Sequence, residues 1–235
     1  MSQRPPPSSR FVFGRVMELV KEGVIDMPAR EFPGTGAPGR LLEYRLGIQE
    51  NNADSPDLRD WEIKFHGGSS LLTLLHKDPE PRGVVSELVE YYGQPDSLGR
   101  LSFRYTVCGA SNRRFFVVDR DQRIYVLSRE HPDGPSPYWS HNSLMTAFSS
   151  KLRRLIVVNG EVLNNPRRVQ LVSATAYWEP DINNLVASIV DGTFCIDFDA
   201  RTKQGPGSSI RNHGTKFRVK EENIHRFYEN RRVLG

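Results

Sequence analysis

Between Leu41 and Lys64 the chain reads LLEYRLGIQENNADSPDLRDWEIK, and this stretch restricts the fold more than any other. Leu41, Leu42 and Leu46 recur at helical spacing, the Asn/Asp/Ser/Pro run that follows stops a helix, and WEIKF resumes as a strand. The segment therefore predicts helix, turn and strand. Glu43 lies on the helix, Asp57 follows a Pro-led turn, and Glu62 and Lys64 share one strand face across Ile63. A hard cation such as Mg²⁺ takes oxygen ligands and keeps several waters, so Asp57 and Glu62 at the mouth of a hairpin suffice to hold it. Lys64, next along the same face, sits where an ammonium orients or helps deprotonate an attacking water and offsets negative charge at phosphorus. The pattern D-x4-E-x-K, with Glu43 upstream, thus points to phosphodiester hydrolysis rather than to ligand storage.

At 235 residues the chain is long enough to bury a sizeable core. Its net charge is only +4, but residues 201–235 carry nine Lys/Arg against three Glu, a net of +6, which leaves 4 − 6 = −2 for the rest. A basic C-terminal segment on a near-neutral body is suited to a polyanion. Cys108 and Cys195 lack C-x-x-C spacing and lie in strand-like sequence, which reads as reduced core thiols of a cytoplasmic protein. The opening residues MSQRPPPSSR have no apolar run of the signal-peptide kind, and no stretch approaches the length of a membrane-spanning helix.

Residues 1–9 are Pro/Ser-rich and predict a disordered tail, leaving 10–235 as a single domain. FVFGRVMELVKEGVI has helical spacing up to the Pro/Gly cluster of residues 28–39. Gly34, Gly36 and Gly39 formally match a dinucleotide-binding turn, but no buried strand precedes them and no βαβ unit follows. Downstream, SLLTLLHK, LSFRYTVCG, FFVVDRDQRIYVLS folded at Asp119–Gln122, RRLIVVNGEV, RRVQLVSATAYW and TFCIDFDA read as strands. VVSELVEYYG, HNSLMTAFSSKL and INNLVASIV read as helices, and a closing helix is expected around Ile224–Tyr228. The class is α+β with antiparallel neighbours. From Arg211, alternation places His213 and Thr215 on one face, a row of donors suited to phosphates and base edges, with Lys216 and Arg218 following. Taken singly, Glu43 is also an ordinary helix-surface glutamate, and Glu62 with Lys64 an exposed ion pair worth at most about 1 kcal/mol.

LLEYRLGI, followed by Asn52, Pro56-Asp57, W-E-I-K and the strand LLTLLHKDP, resembles the MvaI/BcnI family of type II restriction endonucleases, in the MutH-like branch of the PD-(D/E)XK nucleases. RNHGTKFRV resembles that family's recognition region. The resemblance is anchored at residues 36–79 and 211–219. It implies a mixed β-sheet flanked by helices, with catalytic and recognition lobes around a DNA cleft, and a monomer that cuts the strands in separate events. Asp57 and Glu62 match the metal-binding carboxylates, Lys64 the catalytic lysine, Glu43 the helical glutamate that supports the metal site, and His76 and His213 two DNA-contacting positions. The implied function is Mg²⁺-dependent, sequence-specific cleavage of double-stranded DNA at a short GC-rich site of the CC-N-GG kind, leaving 5′-phosphates, with a cognate DNA methyltransferase as genetic partner. A partner-dependent nicking enzyme of DNA repair and a DNA-binding module with a vestigial nuclease site are the rival readings. His141 has no ligand partner at metal spacing and reads as a helix-start residue.

Overall fold

The structure, a computed structural model, describes residues 9–48, 58, 60–68, 70–111, 114–164 and 167–235. Asp57, and with it one of the two predicted metal ligands, lies outside the described residues, as do residues 1–8 of the expected tail. The chain divides into two compact units, one made of residues 1–70, 148–181 and 224–235, the other of 71–147 and 182–223.

In the first unit, α1 (Ser9–Glu22) turns Val12, Phe13, Val16 and Leu19 inward at helical spacing. Gly23, at φ 75°, ends this helix, and β1 (Val24–Asp26) follows where the sequence reading continued the helix to Ile25. Ser9, assigned by composition to the tail, is instead the buried first residue of α1. Pro38 opens α2 (Ala37–Leu46), which turns Leu41, Leu42 and Leu46 toward the core. β2 (Glu62–Gly67) packs against α2.

The second unit starts at β3 (Leu72–His76), which leads through α3 (Val84–Tyr92) and the short β4 (Gln94–Pro95) to β5 (Leu101–Val107). A meander of β6 (Phe115–Arg120), β7 (Arg123–Ser128) and β8 (Tyr138–Ser140) comes next. Asp121 and Gln122, both at positive φ, make the predicted turn between β6 and β7. α4 (His141–Lys151) then begins at the predicted histidine, with the Ser140 hydroxyl accepting from the Ser143 N–H as the cap.

The chain returns to the first unit with β9 (Arg154–Asn164) and β10 (Arg167–Pro180), an antiparallel pair. β2 runs parallel to β9, with Glu62 opposite Leu155 and Lys64 opposite Val157, at the edge of the sheet β1-β10-β9-β2 among the described residues. In that position Ile63 joins a core with Trp61, Ile156, Val158, Ala176 and Trp178, while Glu62 and Lys64 point to the other face. Gly160 keeps β2 seated, since a Cβ there would lie 2.5 Å from the Gln170 carbonyl oxygen and 2.9 Å from the Phe65 ring. Gly160→Ala is expected to lose about 1–3 kcal/mol of stability by overpacking, measured by urea denaturation; an unchanged midpoint contradicts that packing.

After α5 (Ile182–Val190) come β11 (Phe194–Thr202), β12 (Ile210–Asn212) and β13 (Lys216–Val219), which complete the sheet β3-β13-β11-β5-β4, with β12 also on β11. The predicted closing helix is a 3₁₀ segment, Glu221–Phe227, and the chain ends in β14 (Tyr228–Val233), a strand the sequence reading missed, paired with the far end of β10. Cys108 and Cys195, expected as reduced thiols, are joined in a disulfide. Pairing of Val107 with Ile196 places the two cysteines opposite each other across β5 and β11, with Cα atoms 4.4 Å apart. The two cysteines therefore carry no signal of a reducing compartment.

Candidate active site

Leu58 and Trp61 exchange both backbone hydrogen bonds at 3.0 Å, a tight turn that delivers the chain directly into β2. Trp61 is fully buried between the Phe13 ring of α1 and Trp178 of β10, with centroids 5.0 and 6.5 Å away. Arg154, at the start of β9, pairs with Asp60 beside this turn. Glu62 is thereby fixed at its first backbone atoms, and its side chain is 0 % exposed.

A fully buried carboxylate needs compensating charge, because desolvation costs several kcal/mol per ion. Lys64 supplies it at 2.6 Å from Glu62 Oε1, and Lys151, the last residue of α4, brings a second ammonium to 3.8 Å from the same oxygen. Both lysines keep about a quarter of their side-chain surface in solvent, at 27 % and 26 %. The Tyr228 hydroxyl donates to the Leu152 carbonyl at 2.7 Å and anchors the residue that follows Lys151. Burial, and then the nearby Glu62 carboxylate, push the Tyr228 phenol well above its ordinary range, so it remains a neutral donor.

His66 continues the alternation of Glu62 and Lys64 and is also buried, with Nε2 2.8 Å from the Ser70 carbonyl oxygen. His66 lies one step of the same period of two beyond Lys64, and that period is its signal in the sequence. Lys151 carried no local signal, because only the return of the chain through α4 brings it to β2. Glu43 is half-buried on α2, lining a hollow of about 240 Å³ with Glu31, Phe32, Arg40, Tyr44 and Ile48.

Among the described residues no three His, Cys, Asp or Glu side chains cluster as metal ligands do. The donor set nevertheless fits a hard divalent cation. Glu62 offers carboxylate oxygens shielded from bulk water, with ammoniums as their present counter-charges, and that is a locus where a cation replaces a cation.

The second unit holds the predicted recognition residues. His76 ends β3 and pairs in register with Lys216, while Gly214 passes close enough that a Cβ there would lie 3.2 Å from His76 Nδ1. Arg211 and His213 are exposed. The predicted row of Arg211, His213 and Thr215 does not form. Gly214, at φ 82°, breaks the alternation, and Thr215 turns inward, 1 % exposed, with its N–H donating to Asp78 Oδ1. Lys216 and Arg218 occupy the opposite face to Thr215, beside acidic residues of β11 that the sequence reading passed over. Lys216 Nζ lies 3.3 Å from Asp199, and Arg218 lies 3.4 Å from Asp197. Arg104 of β5 also pairs with Asp199, and the Thr106 hydroxyl donates to Asp197 at 2.6 Å. Burial alone would raise the Asp199 carboxyl, but Lys216, then His213 and Arg104, hold it below the usual carboxylate value. Several other arginines have structural partners: Arg114 pairs with Glu130, Arg154 with Asp60, and Arg167 donates to the Phe32 and Gly34 carbonyls.

A mixed sheet that carries a buried Glu and a Lys two residues on, on a strand packed against the helix of Glu43, is the framework of the PD-(D/E)XK restriction-endonuclease fold. The chain matches the model of the MvaI/BcnI restriction endonuclease family over residues 10–228 and belongs to that family. It is similar to the restriction endonuclease MvaI in complex with its cognate DNA, with 25% identity over 99% of this chain and 100% of that one and a TM-score of 0.84. Against MvaI in the absence of DNA, at the same identity and coverage, the TM-score is 0.58. No match is found among the curated proteins. The enzyme class is that of a site-specific DNA endonuclease.

Proposed function

We propose that the protein is a magnesium-dependent type II restriction endonuclease that cuts double-stranded DNA at a short GC-rich site of the CC-N-GG kind and leaves 5′-phosphate ends. The observation that carries this reading is the buried Glu62 with Lys64 at 2.6 Å, inside a chain of the MvaI/BcnI family. Glu62 and Asp57 would hold the metal, with Glu43 supporting them from the helix. When bound, magnesium polarises the scissile phosphate and makes water a better nucleophile at neutral pH.

The Lys64 ammonium orients the attacking water and offsets charge gathering on the non-bridging oxygens. Water oxygen bonds to phosphorus in line with the 3′ oxygen, the P–O3′ bond breaks, and the 3′ oxygen leaves with a proton as the hydroxyl. The phosphate stays on the 5′ side. His76, Arg211, His213, Lys216 and Arg218 are the proposed contacts to bases and phosphates. Thr215 acts through its buried backbone position rather than as a direct reader. The proposed working unit is a monomer inside the cell, with a DNA methyltransferase of the same specificity protecting the host.

A partner-dependent nicking enzyme would cut weakly alone, whereas this reading predicts autonomous cleavage. Lys64→Ala is expected to slow single-turnover cleavage about a hundred- to thousandfold, with EDTA abolishing cleavage by the unaltered protein. Normal cutting by Lys64→Ala, or cutting in EDTA, overturns the assignment.

A further inference from the structure

Lys151 stands at the last turn of α4, where its ammonium has a ready local use in capping the helix's own terminal carbonyls. It reaches Glu62 instead. Its Nζ lies 3.8 Å from Oε1, too long for a hydrogen bond and within ion-pair range, so what it contributes is charge. Lys64, at 2.6 Å from the same oxygen, places its charge much closer. The backbone behind Lys151 is held in place, because Leu152 is fully buried and its carbonyl accepts from Tyr228 at 2.7 Å. One buried carboxylate is thus faced by two ammoniums from separate elements, β2 and α4, and only the nearer is required by the sequence pattern.

We infer that Lys151 is a positioning residue of the nuclease centre, a displaceable counter-charge that occupies Glu62 in the DNA-free protein and competes with the divalent cation for that carboxylate. This rests on the reading of Glu62 as a metal ligand. A cation that approaches Glu62 must displace or be repelled by two positive charges. When a DNA phosphate enters, it offers those ammoniums another partner and releases the carboxylate to the cation. Metal loading is thereby tied to the presence of substrate. By linkage, any factor by which DNA tightens metal binding is also the factor by which metal tightens DNA binding.

Mn²⁺ binding to the full chain without DNA, followed by electron paramagnetic resonance, tests this independently of cleavage. Removing one ammonium near a divalent cation in a water-accessible site is expected to tighten Mn²⁺ about three- to tenfold in Lys151→Gln. Lys151→Arg keeps the charge and is expected to bind Mn²⁺ as the unaltered protein does, and thermal melting of both variants confirms that they fold. A lysine with only a structural role would leave the Mn²⁺ affinity unchanged or weaken it in Lys151→Gln, and either result overturns the proposal. Glu62→Gln separates the two levels. If it abolishes Mn²⁺ binding while Lys151→Gln changes nothing, the metal reading stands and Lys151 has no such role. If Mn²⁺ binding survives Glu62→Gln, the metal reading of Glu62 falls, and the role of Lys151 falls with it.

Discussion

Glu62→Gln is expected to cut DNA roughly a thousandfold more slowly than the unaltered protein under single-turnover conditions, while retaining DNA affinity in EDTA. Glutamine preserves the volume of a side chain that is 0 % exposed, so the packing around β2 remains. It removes the negative charge on which a cation would be held and to which Lys64 is paired. Binding to DNA draws mainly on phosphate contacts and does not require that charge. A cleavage rate within tenfold of the unaltered protein would show that Glu62 is not the central ligand.

Trp61→Ala is the change expected to cost the most stability, about 3–5 kcal/mol, as for other fully buried aromatic truncations. Trp61 fills the space between α1 and β10 through Phe13 and Trp178, and its backbone closes the turn with Leu58. The residue immediately before Glu62 is therefore a principal packing element, and loosening it disturbs the site together with the core. Chemical denaturation measures the loss. A shift below about 1 kcal/mol would mean that the cavity collapses at little cost, which the packing of two large rings around it argues against.

The alternation of Glu62 and Lys64 was legible because period two survives in a six-residue strand. Most helices and strands were legible for the same kind of reason. Where the sequence misled, a single residue changed the geometry or a distant element intervened. Gly23 ended α1 and released Val24–Asp26 to pair with β10, although the apolar spacing ran on. Gly214, at positive φ, broke the alternation that runs from Arg211 and turned Thr215 inward. YENRRV has too few apolar residues to read as a strand, and β14 forms because the end of β10 offers it a partner. Lys151, the Asp197 and Asp199 pairings and the disulfide depend on contacts between residues far apart in sequence, and spacing carries no information about these.

The most direct measurement is incubation of the purified protein with unmodified phage and plasmid DNA in Mg²⁺, with an EDTA control, followed by sequencing of the product ends. Discrete fragments that share one GC-rich motif and carry 5′-phosphates are the predicted result. Intact DNA, or ends scattered without a common sequence, would contradict autonomous restriction by the centre built on Glu62 and Lys64.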